Sequence, residues 1–389
     1  MYKIKKFNKI SDAVLQYLPQ DRYEISEDAE NYDAVLVRSA ALHDVEFPEQ
    51  TLAIARAGAG VNNIPVAQCA ERGIVVFNTP GANANAVKEL VLCGMLMSGR
   101  KIAQSMEWLN TEGAQSDDVA NLVEKAKSRF AGPELQGKRL GVIGLGAIGV
   151  MVANAAARGL GMEVMGYDPY LSVESAWHLD RRIERAATIE QILASCDYVT
   201  LHLPLNDSTR NTIDAAAIAK MKDGAVLLNF ARGGLVDTDA VLDAVAGGHL
   251  AKYVTDFPDN KLIGKENVIC TPHLGASTPE SEENCAIMAA RELADYIENG
   301  NIRNSVNFPN CELPREGGVR LAIINKNVPN IIGQLTAALA ADGLNIEHMI
   351  NKSRGEWAYT MFDLSKEPNA TCLKSLAAIE GVVRMRVIK

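Results

Sequence analysis

The chain has 389 residues, 48% hydrophobic, 22% charged and only 5% aromatic, which predicts two or three globular domains built on aliphatic side chains and excludes disordered, collagenous and coiled-coil architectures. A formal net charge of −9 argues against a nucleic-acid binder, which needs a basic face. No run approaches eighteen apolar residues, and the start MYKIKKFNKI lacks an apolar h-region, so neither a membrane span nor a signal peptide is expected. The seven scattered cysteines show no CxxC pair and no Cys/His cluster, which fits a reducing cytoplasmic setting and no metal site.

In chain order, short apolar runs begin at Asp33, Gly73, Lys138, Met162, Cys196, Gly224 and Asn267, with helix-compatible stretches between them. Continuous apolar strands alternating with helices predict parallel sheets covered on both faces. Ala82 to Arg100 reads as a long apolar helix. Ser277 to Asn299 reads as another, opened by a Ser/Thr-Pro-Glu start and closed by Gly300. The Pro- and Gly-rich stretch Phe308 to Val319 reads as a linker. Beyond it the pattern is strand (Val319–Ile324), helix (Asn330–Ala341), strand (Leu344–Lys352), strand (Trp357–Leu364), helix (Ala370–Ile379) and strand (Val382–Ile388), the ferredoxin-like order.

The strand Lys138 to Ile143 runs directly into Gly144-Leu-Gly146-Ala147-Ile148-Gly149 and a helix. In a dinucleotide-binding turn the first Gly permits the bend, the second lets backbone approach a pyrophosphate, and the third lets helix and strand pack closely. Asp168 follows at the end of the next strand, about 20 residues on, where a carboxylate holds the ribose hydroxyls of NAD and repels the extra phosphate of NADP. This fingerprint lies mid-chain. The expectation is therefore a Rossmann-like NAD domain (99–280) inserted into a flavodoxin-like α/β substrate domain (1–98 and 281–310), followed by a ferredoxin-like α+β domain (318–389).

Three further strings, Asn229-Phe-Ala-Arg232-Gly-Gly-Leu-Val-Asp237, Val254-Thr-Asp256-Phe and Thr271-Pro-His273-Leu-Gly-Ala-Ser-Thr278, join Leu201-His-Leu-Pro-Leu and Asn78-Thr-Pro-Gly. Together they resemble the D-isomer-specific 2-hydroxyacid dehydrogenases, and the tail resembles an ACT domain, a small-molecule sensing module. The resemblance implies an NAD-dependent enzyme in which His273 acts as acid/base and Arg232 pairs with the substrate carboxylate. A base of near-neutral pKa and a bidentate guanidinium suit that chemistry. It further implies an NAD site lined by Thr79, Ala147, Ile148, Asp168, Leu203, Phe230, Ala231, Asp256, His273, Leu274, Gly275 and Ala276, with Asp256 toward the nicotinamide carboxamide. His43, His178, His202, His249 and His348 read as structural.

One departure concerns the partner of His273. Members of the family carry a Glu a few residues after the equivalent of Asp256; here the text is Asp256-Phe-Pro-Asp259-Asn260-Lys261, one residue shorter. Asp259 takes over, Glu266 reaches in, or the His has no carboxylate partner; the hypothesis taken is Asp259. Arg38 and Arg56 at strand ends, with Arg129, are the cations expected to hold a phosphorylated 2-hydroxy acid. Asn325, Asn327 and Asn345 resemble the serine-binding edge of ACT domains, which implies an L-serine effector, although Asn330 stands where the family has Gly. Alternatives are another 2-hydroxyacid dehydrogenase, such as a glyoxylate or hydroxypyruvate reductase, or a non-catalytic NAD sensor. A homodimer or homotetramer is expected, with the helix Ala82–Arg100 as one surface for a second copy.

Overall fold

The Val-, Ile- and Ala-rich runs form two parallel sheets, as strands apolar on both faces require. The computed structural model describes residues 1–389. The chain divides into two units, Met1–Asn83 with Pro279–Lys389, and Ala84–Thr278.

In the first unit, strands β1 (Tyr2–Phe7), β2 (Tyr23–Ser26), β3 (Ala34–Val37), β4 (Ala53–Arg56) and β5 (Val75–Phe77) pair in the order β2-β1-β3-β4-β5. This is the flavodoxin-like order. The helix Pro279–Asn299 returns to cover it, burying Ala286, Ala289, Leu293 and Tyr296 against Leu36, Ala55 and Phe77.

The second unit holds β6 (Arg139–Ile143), β7 (Glu163–Tyr167), β8 (Glu184–Arg185), β9 (Tyr198–Leu201), β10 (Ala225–Asn229), β11 (Leu250–Thr255) and β12 (Val268–Cys270), ordered β12-β11-β10-β9-β6-β7-β8. The order reverses between β6 and β9, and ligands of such sheets bind outside the carboxyl ends of the strands at that point. The helix Ala84–Gly99 packs on β10, β11 and the helix Ala147–Gly159, so it belongs to this unit, which begins at Ala84 where sequence suggested residue 99. Gly94 makes that packing possible: a Cβ there would stand 2.8 Å from the Phe230 ring.

The tail forms an antiparallel sheet of β13 (Val319–Lys326), β14 (Ile346–Arg354), β15 (Trp357–Leu364) and β16 (Val382–Ile388), ordered β14-β15-β13-β16. Its two faces have different partners. Leu321, Ile323, Phe362 and Leu364 pack on the helices Ile331–Ala341 and Ala370–Ala377. The alternate residues Ala322, Ile324, Trp357, Tyr359 and Met361 share a core with the flavodoxin-like sheet and the returning helix. The tail is thus part of the first unit rather than a tethered module. The expected linker is pinned as well, with Phe308 fully buried and its ring edge-on to Trp357 at 5.7 Å. Asn330 adopts the left-handed conformation (φ 65°) that Asn tolerates nearly as Gly does.

At the seam between helix, linker and tail lies a buried Arg320. Its guanidinium grips Asp363 through two bonds (2.6 and 2.9 Å) and donates to the carbonyls of Asn299, Leu313 and Pro314.

Candidate active site

The glycine-rich turn has the geometry its spacing predicts. Gly144 sits at φ +96°, where a Cβ would stand 2.5 Å from the carbonyl oxygen of His202. A Cβ on Gly149 would stand 1.9 Å from the Gly144 oxygen, so helix and strand could not approach. At Gly146 the space is open, and the helix behind it starts with no side-chain cap. Free N–H groups there face an anion's position. Asp168 accepts bonds from the Leu145 amide (2.9 Å) and the Tyr170 amide (2.8 Å), which fix its carboxylate while leaving lone pairs for a ribose. These residues fit NAD. Burial pushes the His202 imidazole down to about 3, so it stays neutral at working pH.

The catalytic side is built at the carboxyl ends of β10, β11 and β12. Asn229, which ends β10, accepts bonds from the amides of Ala231 and Arg232 and donates to the Arg232 carbonyl at 2.8 Å. That clasp sets the loop from which the exposed Arg232 side chain projects. Thr255 at the end of β11 donates to the Asn229 carbonyl (2.8 Å) and accepts from the Phe257 amide (3.0 Å). Neither Asn229 nor Thr255 was singled out from sequence, although a polar residue ending a buried strand is a readable signal. After β12 the chain turns back so that the His273 amide donates to the carbonyl of Asp256 at 3.0 Å. His273 itself lies at φ 52°, an uncommon conformation for a non-glycine residue, and its ring stacks obliquely on Phe257 with centroids 4.6 Å apart.

Asp256 lies beneath this edge. It is buried, one carboxylate oxygen accepts from the Gly275 amide (3.0 Å), and the other has no partner. Burial pushes its carboxyl up, and the Gly275 amide and the nearby His273 and Arg232 charges only partly oppose that. An unpartnered buried acceptor at a dinucleotide site suits the amide N–H₂ of a nicotinamide.

Residues 92–275 match the family model of the D-isomer specific 2-hydroxyacid dehydrogenase, NAD binding domain. The chain is 35% identical to D-3-phosphoglycerate dehydrogenase of Haemophilus influenzae over 356 residues, 88% of this chain and 83% of that one. It is also 35% identical to the enzyme of that name from Archaeoglobus fulgidus, of which it spans 54%. A solved NAD⁺-bound 3-phosphoglycerate dehydrogenase of Entamoeba histolytica superposes with a TM-score of 0.61 at 26% identity, covering 79% of this chain and 98% of that one. This chain belongs to the D-isomer-specific 2-hydroxyacid dehydrogenases. It is an NAD-dependent enzyme.

Within the dehydrogenase, the expected support of His273 by Asp259 needs correction. Asp259 lines the same cavity of about 540 Å³ as His273. Its oxygens, however, accept from the amides of Lys261 (2.8 Å) and Leu262 (3.1 Å) and from the Thr238 hydroxyl (2.9 Å). It closes a turn. Glu266 is exposed, and no carboxylate bonds the imidazole.

The cations expected to hold substrate are divided between the two units. Arg56 and Arg38 stand at the carboxyl ends of β4 and β3 in the first unit, where Arg56 Nε donates to the Arg38 carbonyl (3.0 Å) and Arg38 pairs with Glu282 (2.6 Å). Thr79, buried in the same unit, donates its amide to Gly58 at 3.1 Å. Arg129 lies in the second unit and stacks on Trp108 and Phe130, with its guanidinium 5.8 and 5.6 Å from the ring centres. Leu203, Phe230, Ala231, Leu274 and Ala276 all sit at the carboxyl edge of the seven-stranded sheet, with Gly275 among them.

In the tail, Asn325 is buried, donating to the Lys326 carbonyl (2.7 Å), and Asn327 donates to Gly355 (3.1 Å). Asn345 precedes β14, whose first residue pairs with Leu364, itself paired on its other side with Val319. It is therefore at the other end of the sheet, about 20 Å from Asn325 at about 3.3 Å per residue. One chain does not bring the three together. No helix is long and apolar enough to cross a membrane.

Proposed function

We propose that this dehydrogenase oxidises D-3-phosphoglycerate to 3-phosphohydroxypyruvate, the first step of the phosphorylated route to L-serine. The observation that carries the chemistry is the shared edge at which His273, Arg232 and the buried Asp256 meet; the shared name of the relatives supports the substrate. His273 takes the hydroxyl proton, and later releases it to solvent, as the adjacent carbon gives up its hydride. NAD supplies the hydride acceptor. Arg232 holds the substrate carboxylate through paired N–H bonds and polarises the forming carbonyl. Arg38 and Arg56 receive the phosphate. Asp256 is kept for the nicotinamide carboxamide by the Gly275 amide.

The tail is read as an ACT domain that senses L-serine. Since Asn345 lies at the opposite sheet end from Asn325 and Asn327, a serine contacting both sets requires two copies of the chain. A homodimer or homotetramer agrees with exposed Leu96, Met106, Leu109 and Val119 in the helical segment after Asn83. A cytoplasmic setting suits the free thiols.

The test is NADH formation from D-3-phosphoglycerate, set against glycerate and the reverse reduction of glyoxylate and hydroxypyruvate. The reading expects the phosphorylated substrate to have the highest kcat/KM and Arg56→Ala to raise its KM far more than that of glycerate. NAD binding without turnover of any of them would favour the sensor alternative.

A further inference from the structure

Strand β16 turns Arg384 and Arg386 toward the flavodoxin-like part of its own unit. Arg384 donates to the backbone carbonyls of Thr51 and Glu49. Arg386 is less completely used. It makes one hydrogen bond, to the Tyr296 carbonyl at 2.7 Å, its guanidinium lies 4.5 Å from the centre of the Tyr296 ring, and its Nε is buried without a partner.

Arg386 borders a hollow of about 690 Å³, also lined by Arg22, Arg315 and Lys389. The one acidic side chain in the lining, Glu298, pairs with Arg22 at 2.8 Å and accepts from the Tyr23 hydroxyl. Lys389 pairs with Glu367 at 2.8 Å. Arg315 donates to the Glu298 backbone carbonyl at 2.6 Å. Arg315 and Arg386 thus have carbonyl partners and form no ion pair of their own, in a chain whose net charge is −9. Leu52, Ile297, Val387 and Ile388 give the hollow an apolar wall. The volume falls within the about 300–1,000 Å³ usual for small-molecule sites, where a few polar groups orient a ligand against apolar lining.

We infer that this hollow binds a small anion with phosphate or carboxylate groups, held by Arg315 and Arg386, at the joint of the tail, the returning helix and β1. The site is separate from the NAD edge and does not depend on the proposed substrate. Because its walls come from the tail strand and from the sheet it packs on, occupancy stabilises their docking by mass action.

The test is calorimetric and thermal titration of the full chain, saturated with NAD, with inorganic phosphate and with glutarate, against chloride of matched ionic strength. Binding of either probe, weakened about tenfold or more in Arg315→Gln and in Arg386→Gln but retained in Arg232→Gln, supports the site; one lost charge-assisted bond accounts for that factor. The stronger probe identifies the head group. Arg315→Gln keeps the test valid if Arg386→Gln loosens the tail, because Arg315 holds only a carbonyl. No binding beyond chloride, unchanged affinity in both variants, or loss in Arg232→Gln alone would overturn the inference.

Discussion

Two buried carboxylates, Asp256 at 1% exposure and Asp363 at 4%, receive opposite treatment. Asp363, at the seam of the tail, accepts two bonds from a guanidinium whose remaining donors are taken by three carbonyls. Asp256, at the NAD edge, keeps one amide bond and leaves an oxygen unpartnered. A scaffold satisfies its buried polar groups internally, whereas a site leaves one for its ligand. The same contrast appears in backbone: beside Asp256 stands His273 at φ 52°, while the strand of Asp363 pairs in unbroken register with that of Arg320.

The largest expected break in that contrast is in rate. His273→Gln removes the only imidazole in the cavity with Asp256, so kcat should fall about a hundred- to ten-thousand-fold, the usual worth of a general acid/base. The residue is exposed, so the thermal midpoint should stay within a degree or two of wild type. Steady-state kinetics beside a melting curve separates the two effects, and a full-rate variant would remove His273 from the mechanism.

Asp363→Asn should do the reverse. It leaves Arg320 charged and buried without a carboxylate, which destabilises by about 3–5 kcal/mol in comparable buried pairs. Denaturant unfolding should show that loss, while kcat of the fraction still folded stays near wild type. A mild effect would mean that the three carbonyls suffice.

Between these extremes lies Glu292, buried on the returning helix with one oxygen bonded by Asn304 at 2.7 Å and the other unpartnered. Burial pushes its carboxyl up from 4.5 to about 8. Between those values the folded chain holds a proton that the unfolded chain has released, so this group's contribution to stability falls as pH rises from 4.5 and levels off above about 8. Glu292→Gln should flatten that slope and stabilise the chain by up to a few kcal/mol at high pH. Melting curves from pH 5 to 9 would check it, with parallel profiles counting against it.

How far these features could be read from sequence follows from how local they are. The Gly144–Gly149 turn with Asp168, the long helices and the tail's alternation each rest on neighbours in the chain. They stand within a few residues of where sequence put them, as with Pro279–Asn299 against an expected 277–299. Arg320 and Asp363 are 43 residues apart, and nothing local announces their pairing. The helix Ala84–Gly99 is apolar on most of its surface, so sequence could not say which sheet it covers. Nor does β15, WAYTMFDL, announce its second partner: it is buried along its whole length although Thr360 and Asp363 interrupt the apolar run that would have signalled burial on both faces.

Asp256→Asn tests the site half of the comparison from the other side. Asn can still accept from Gly275, and it removes a buried charge, so stability should hold or rise by about 1 kcal/mol. Its amide N–H₂ would, however, put a donor where the nicotinamide carboxamide needs an acceptor, and NAD affinity should weaken about tenfold, one misplaced hydrogen bond's worth. Fluorescence titration with NAD measures this; unchanged affinity would mean that the free oxygen serves another group.

The smallest effect belongs to Asp259, and it decides how the imidazole is held. With Lys261, Leu262 and Thr238 as its partners, Asp259→Asn loses turn bonds worth about 1 kcal/mol or less and no contact with His273. The kcat–pH profile should keep its midpoint. In the absence of a carboxylate bond, the ring is oriented by Phe257 and by the left-handed turn at His273, so Phe257→Leu is the variant that should lower kcat and move the midpoint. If Asp259→Asn moves the midpoint to lower pH instead, a carboxylate supports the histidine during turnover, and the turn closed by Asp259 must open to deliver it.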